Sequence, residues 1–277
     1  MNILSLFVLI PLLMLGLLWA ARSLNQVRGV MVVGSTLLLV LSVYLTIDYL
    51  ALRQAGETSE MLYTASIAWY TPLNICYSVG VDGISVAMLL LSSIIVFTGT
   101  FASWQLKPMT KEYFLWFTLL SAGVFGFFIS TDLFTMFMFY EVALIPMYLL
   151  IGVWGSGKKE YAAMKLTLML MGGSAFLLIG ILGIFYGAGG DTMNLLEIAQ
   201  RHIPTDMQHL FFPLIFLGFG VLGALFPFHT WSPDGHASAP TAVSMLHAGV
   251  LMKLGGYGCF RVAMYLMPEG AEIWGNF

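Results

Sequence analysis

Apolar runs long enough to cross a bilayer recur along the chain, and short polar stretches separate them. A transmembrane helix needs about 20 mostly apolar residues. That rule predicts eight spans, at 2–20, 29–52, 84–104, 113–130, 132–154, 161–187, 209–228 and 241–267. Spans four and five are separated by almost nothing around Ser130, Thr131 and Asp132, which predicts a tight antiparallel hairpin. The longest connections, 53–83 and 188–208, are moderately polar and could hold short surface helices or a hairpin. The pattern as a whole predicts an all-α, polytopic membrane helix bundle with a polar break between spans seven and eight.

Composition agrees. The 277 residues are 59% hydrophobic and 9% charged, against about a quarter charged in a soluble domain. The net charge of −3 decides little, because in a membrane protein the placement of charge matters more than its sum. Cys76 and Cys259 match no metal or redox spacing and imply no disulfide framework. Residues 1–20 are apolar with no positive charge ahead of them, so they read as a retained first span rather than a signal peptide.

Basic residues set the orientation. Arg22 and Arg28, Lys107 and Lys111, and Lys158 and Lys159 fall in the loops 21–28, 105–112 and 155–160, all on one side. The other side carries only Arg53 and Arg201 amid many acids. The basic loops are therefore expected in the cytoplasm, with the N-terminus outside.

Three basic residues fall inside the predicted spans and Glu141 is the only deep acid, and ionisable groups in hydrocarbon are costly and usually functional. Glu141 lies near the middle of span five, Lys165 just inside span six, Lys253 in the middle of span eight, and Arg261 nearer that span's outer end. Glu141 is 13 residues from the inner boundary, roughly 20 Å. Lys253 is 12 residues from it, roughly 18 Å. Equal depth makes them a candidate pair near the midplane, either a proton relay or a purely structural ion pair. Lys165 could serve the relay or reach back to the inner surface, and Arg261 is expected to reach outward. Tyr148, seven residues after Glu141, shares its face, and Pro146 removes one backbone hydrogen bond beside it. Glycines around Lys253 allow close helix approach.

Residues 227–240, PFHTWSPDGHASAP, hold three prolines, two histidines and an aspartate between two apolar runs. They read either as an inner loop with proline turns or as a broken helix lining a wet cavity. His229 and His236 are candidate proton carriers. Their seven-residue separation fits no standard zinc pair, and no metal site is expected.

The run FPFHTWSPDGHASAPTAVSMLHAGVLMKLGGYG (226–258) resembles the signature of the antiporter-like membrane subunits of respiratory complex I. MFMFYEVALIPMYLLIGVWG (136–155), YSVGVDGIS (77–85) and AAMKLTLML (162–170) resemble it too. The resemblance implies a proton-translocating subunit of NADH-quinone oxidoreductase. Electron transfer, with NADH, FMN, iron–sulfur clusters and quinone, would belong to partner subunits, and no cofactor is expected in this chain. The implied partners are other membrane subunits, especially antiporter-like neighbours, within the bilayer of a bacterial inner membrane, and no nucleic acid. Glu141, Lys165 and Lys253 match the family's glutamate of the fifth helix and its lysines of the sixth and eighth. Residues 113–267 would form the first of two inverted five-helix repeats, after three N-terminal helices in 1–112 and before an outer-side tail, 268–277.

Two departures stand out. The family has about fourteen spans, so the second repeat is absent here and a truncated chain is implied. The family's lysine of the seventh helix falls at Leu222. Leu222 and His247 both lie six residues, roughly 9 Å, from the expected inner boundary. His247 is therefore the candidate to take over part of that lysine's role. The alternatives are a subunit of a cation/proton antiporter or of a membrane-bound hydrogenase, or a non-pumping scaffold.

Overall fold

The computed structural model describes residues 2–104, 106 and 110–276. Lys107, one of the residues used to orient the chain, lies outside them. A short 3-10 turn leads into α1 (Leu6–Ala20), followed by α2 (Leu24–Gln54). A hairpin of β1 (Leu62–Tyr70) and β2 (Ile75–Val81) precedes α3 (Gly83–Ala102), α4 (Lys111–Ile129), α5 (Leu133–Trp154) and α6 (Lys159–Gly187). Then come the short α7 (Leu195–Ala199), α8 (Thr205–Leu222), α9 (Trp231–Ser238), α10 (Thr241–Leu246), α11 (Met252–Gly258) and α12 (Pro268–Trp274). Among the described residues, seven helices are long and apolar enough to cross a membrane. The eighth crossing is composite: α10 and α11 run on through two π-helical turns, His247–Leu251 and Cys259–Met264, as one helical path from 241 to 266.

The span expectations hold, with two corrections. Span two starts at Leu24 rather than 29, because Ser23 and Gln26 form a reciprocal capping box there. Span seven stops as an α-helix at Leu222 rather than 228. Ala224 takes a left-handed conformation (φ 54), and the Leu225 N–H donates to the Gly220 carbonyl at 2.8 Å, which closes off the last turn. Pro227, with no N–H to donate, follows in a cis peptide.

The chain does not emerge at that point. After the turn, α9 continues to Ser238, whose carbonyl accepts from the Ser156 N–H at 2.8 Å, beside the basic loop 155–160. The polar break is therefore a broken helix, and the seventh crossing ends about ten residues later than the sequence pattern suggests.

α4 is the central post. Its membrane-crossing stretch is 78% buried, against 33–50% for the other six, and α1, α3, α5 and α11 pack around it. Gly123 lets α5 come close: a Cβ there would lie 2.8 Å from the Ala143 backbone nitrogen. Small residues set such approaches in membrane helices, where burial gives little drive. Large apolar side chains on α1 and α2, among them Leu13, Leu17, Val33, Val40 and Ile47, face outward as a lipid-exposed surface requires.

The end of the bundle that carries the β-hairpin is stitched by Asp132, fully buried at the N-cap of α5. Its carboxylate accepts from the Thr135 N–H at 2.8 Å and the Cys76 N–H at 3.2 Å. The α4–α5 turn thereby docks onto β2, and the Thr131 carbonyl takes the Leu195 N–H at 2.8 Å.

Candidate functional site

Glu141 lies half-buried on α5 against α6. One carboxyl oxygen is buried without a hydrogen-bond partner among the described residues, and the Ser174 hydroxyl of α6 faces the group. Tyr140, next in the chain, donates to the Leu170 carbonyl at 3.0 Å and fixes α5 on α6. Tyr148 shares the helix face by spacing but is 39% exposed on the bundle surface, away from the buried polar atoms.

Lys253 does not meet Glu141. Its ammonium donates to the Ala248 carbonyl of its own helix at 2.8 Å, and the side chain is exposed. It borders an apolar groove of about 460 Å³ with Phe219, Gly223, Leu225, Gly256 and Phe260. The reason is lateral. Glu141 faces Ser174 of α6, and α8 packs between α6 and α11: Val221 abuts Gly173, and Gly223 abuts Gly255.

Lys165 turns to α9 and pairs with Asp234 at 2.7 Å, over the Tyr161 ring. Asp234 had no individual signal in the sequence beyond its place in the polar break.

His247 is fully buried, and neither ring nitrogen has a partner among the described residues. It stacks between His236 (centroids 4.3 Å) and Trp231 (5.2 Å), both on α9, where Gly235 leaves it room. His236 in turn shares a 3.0 Å hydrogen bond with Ser244. The equal depth proposed for His247 and Leu222 fails, because the crossing continues through α9. Leu222 lies instead at the level of Lys253 and Ser174: its neighbour Gly223 abuts Gly255, and Val221 abuts Gly173. Leu222 is 1% exposed, so an apolar side chain fills the place of the family's lysine. His229 lies exposed in the turn after α8, its ring near Phe226.

Arg261 reaches toward the end of its crossing, as expected. Its side chain is only 11% exposed and pairs with Glu60 at 3.1 Å and Asp82 at 3.8 Å, acids from the hairpin's base and the N-cap of α3. Among the described residues, no cluster of three or more His, Cys, Asp or Glu could hold a metal ion.

A bundle of apolar helices with a helix broken beside acid, lysine and histidine side chains defines a multi-pass membrane protein. The chain belongs to the NADH:quinone oxidoreductase/Mrp antiporter transmembrane family, whose description matches residues 130–277. It is similar to "NAD(P)H-quinone oxidoreductase chain 4 3" of Picosynechococcus sp., 38% identical over 214 residues, covering 77% of this chain and 39% of that one. It is similar also to the chloroplastic "NAD(P)H-quinone oxidoreductase chain 4" of Citrus sinensis, 40% identical over 210 residues, covering 74% of this chain and 42% of that one. The chain thus spans about two fifths of the length of these curated relatives. In fold it matches a chain of the respiratory complex I of Thermus thermophilus, with a TM-score of 0.85 and 24% identity, over 99% of this chain and 55% of that one.

Proposed function

We propose that this chain is a proton-translocating membrane subunit of an NADH:quinone oxidoreductase, of the chain 4 type. Residues 113–267 act as one antiporter-like repeat. The observation that supports it most is Glu141: a carboxyl group deep in a membrane helix, with one buried oxygen left unpartnered. Such a group is expensive unless it exchanges a proton or meets water. On this reading protons enter from the basic side past Lys165 and the stacked His236–His247 pair, load Glu141, and reach Lys253 as neighbouring subunits alter the local field. His229 and Tyr148 take part only through water or a neighbouring chain, since both are exposed.

NADH, FMN, iron–sulfur clusters and quinone are assigned to partner subunits. The exposed turn 225–230 and the Lys253 groove call for a membrane neighbour, because irregular backbone at membrane depth must be covered by protein or line water. The chain would reside in a bacterial inner membrane with its basic loops inside and its N-terminus outside.

Leu222 favours a second reading, a scaffold subunit that does not pump. The two readings separate in the purified native complex, assayed for NADH-driven, inhibitor-sensitive proton uptake in liposomes. Glu141→Gln is expected to lower the protons moved per electron pair while electron transfer persists. An unchanged ratio would leave the scaffold reading standing.

A further inference from the structure

Resting on that reading, we infer that this repeat has its own outlet to the outer side, running from Lys253 through Tyr257 and Ser85 to the Asp82–Arg261–Glu60 cluster. A polar vestibule of about 550 Å³ opens at the outer side, lined by Ser59, Glu60, Thr64, Gln200 and Tyr265. At its floor Glu60 holds Arg261, with Asp82 on the arginine's other edge. Arg261 keeps its Nε and one terminal nitrogen buried with no hydrogen-bond partner among the described residues. A buried guanidinium rarely leaves donors empty, and this pattern marks a place that water enters. Inward of the arginine, the Tyr257 and Ser85 hydroxyls, 4% and 0% exposed, share a 3.0 Å hydrogen bond, and Tyr257 faces both Asp82 and Arg261. Tyr257 is one turn, about 6 Å, outward of Lys253.

Lys253 is placed to serve the two sides alternately. Its ammonium holds the Ala248 carbonyl, five residues toward the inner side. Turning its long side chain outward presents it to Tyr257. π-helical turns flank the lysine on both sides, and such turns recur at functional sites.

The transfer balances. The ammonium gives one proton to a hydroxyl oxygen of the Tyr257–Ser85 pair as the pair gives one proton to the Asp82 carboxylate. Each hydroxyl keeps one hydrogen, with their hydrogen bond reversed. Lys253 becomes neutral, ready to be reloaded. Asp82 becomes neutral and loosens its hold on Arg261. The proton then passes by water to Glu60 and the vestibule, and Asp82 regains its charge.

The test uses the assembled complex in liposomes, with proton uptake and quinone reduction measured together. The double substitution Ser85→Ala and Tyr257→Phe removes two oxygen atoms and preserves the ring packing on Phe127 and Phe128. Asp82→Asn is the second variant. Each is expected to abolish this chain's share of the protons moved per electron pair, with assembly intact. A wild-type ratio in the double variant, alongside a reduced ratio in Glu141→Gln, overturns the outlet alone. A wild-type ratio in Glu141→Gln overturns the pumping reading on which it rests. If Asp82→Asn fails to assemble, the double variant decides.

Discussion

Glu141 and Lys253 lie at the same depth by helix rise, yet their surroundings are opposite. The acid is half-buried between α5 and α6 with an oxygen left unpartnered. The lysine is exposed in an apolar groove and holds a carbonyl of its own helix. Counting residues gives one coordinate along the membrane normal. The angle around the bundle axis comes only from packing, and here α8 packs between α6, which Glu141 faces, and α11, which carries Lys253. On the proposed function the difference implies two roles: Glu141 would store a proton inside this bundle, and Lys253 would exchange one at its surface.

The largest expected effect tests the acid's side of this contrast. Leu222 fills the position, level with Ser174, where the family carries a lysine. Leu222→Lys should be tolerated while Glu141 is present to neutralise it. In a Glu141→Gln background the same lysine is a lone buried charge, and such a group costs about 3–5 kcal/mol. The measurement is thermal or denaturant unfolding in detergent for the two single variants and the double. If Leu222→Lys costs the same in both backgrounds, position 222 does not face Glu141, and the acid's isolation has another cause.

A smaller effect tests the seating of the acid's helix on α4. Gly123→Leu drives a side chain into the Ala143 backbone and forces α5 off α4. Overpacking of this kind costs about 1–3 kcal/mol, read as a lowered unfolding midpoint. An unchanged midpoint would show that α4 and α5 do not depend on this close approach. Smaller still is the Lys165–Asp234 pair, with side chains 25% and 44% exposed. Asp234→Ala should cost no more than about 1 kcal/mol. Its effect on proton uptake should exceed its effect on stability if the pair guards the entry to the relay.

Much of this was legible in the residues. The eight crossings follow from apolar run length, and the hairpin at 62–81 was one of two expectations for its loop. The break around Pro227 was visible as a polar interruption. Its extent was not, because α9 is short and polar and could not be distinguished from a loop by hydropathy. That error moved the inner boundary and produced the false match between Leu222 and His247. The Arg261 cluster was hidden for a different reason. Its acids, Glu60 and Asp82, come from a hairpin and a helix cap about 180–200 residues earlier in the chain, and only tertiary packing brings them together.

The smallest expected effect concerns the outer surface, where a charge pair is neither buried nor isolated. Asp191 pairs with Arg201 beside the turn Gly189–Gly190, and the arginine's hydrogen bond holds the Asp191 carboxyl below its ordinary value. A carboxylate with a lowered folded value contributes stability above the ordinary pKa of about 3.9 and loses it as pH falls through the folded value. The 188–201 segment should therefore hold its structure at pH 5–7 and loosen only at strongly acid pH, below about 4. Hydrogen exchange at Gly189, Gly190 and Arg201, corrected for the intrinsic pH dependence, would show the transition. Asp191→Asn and Arg201→Gln should each remove it. Because both side chains are well exposed, salt should weaken the effect. The Glu141 site, screened by its helices, should show no such salt dependence.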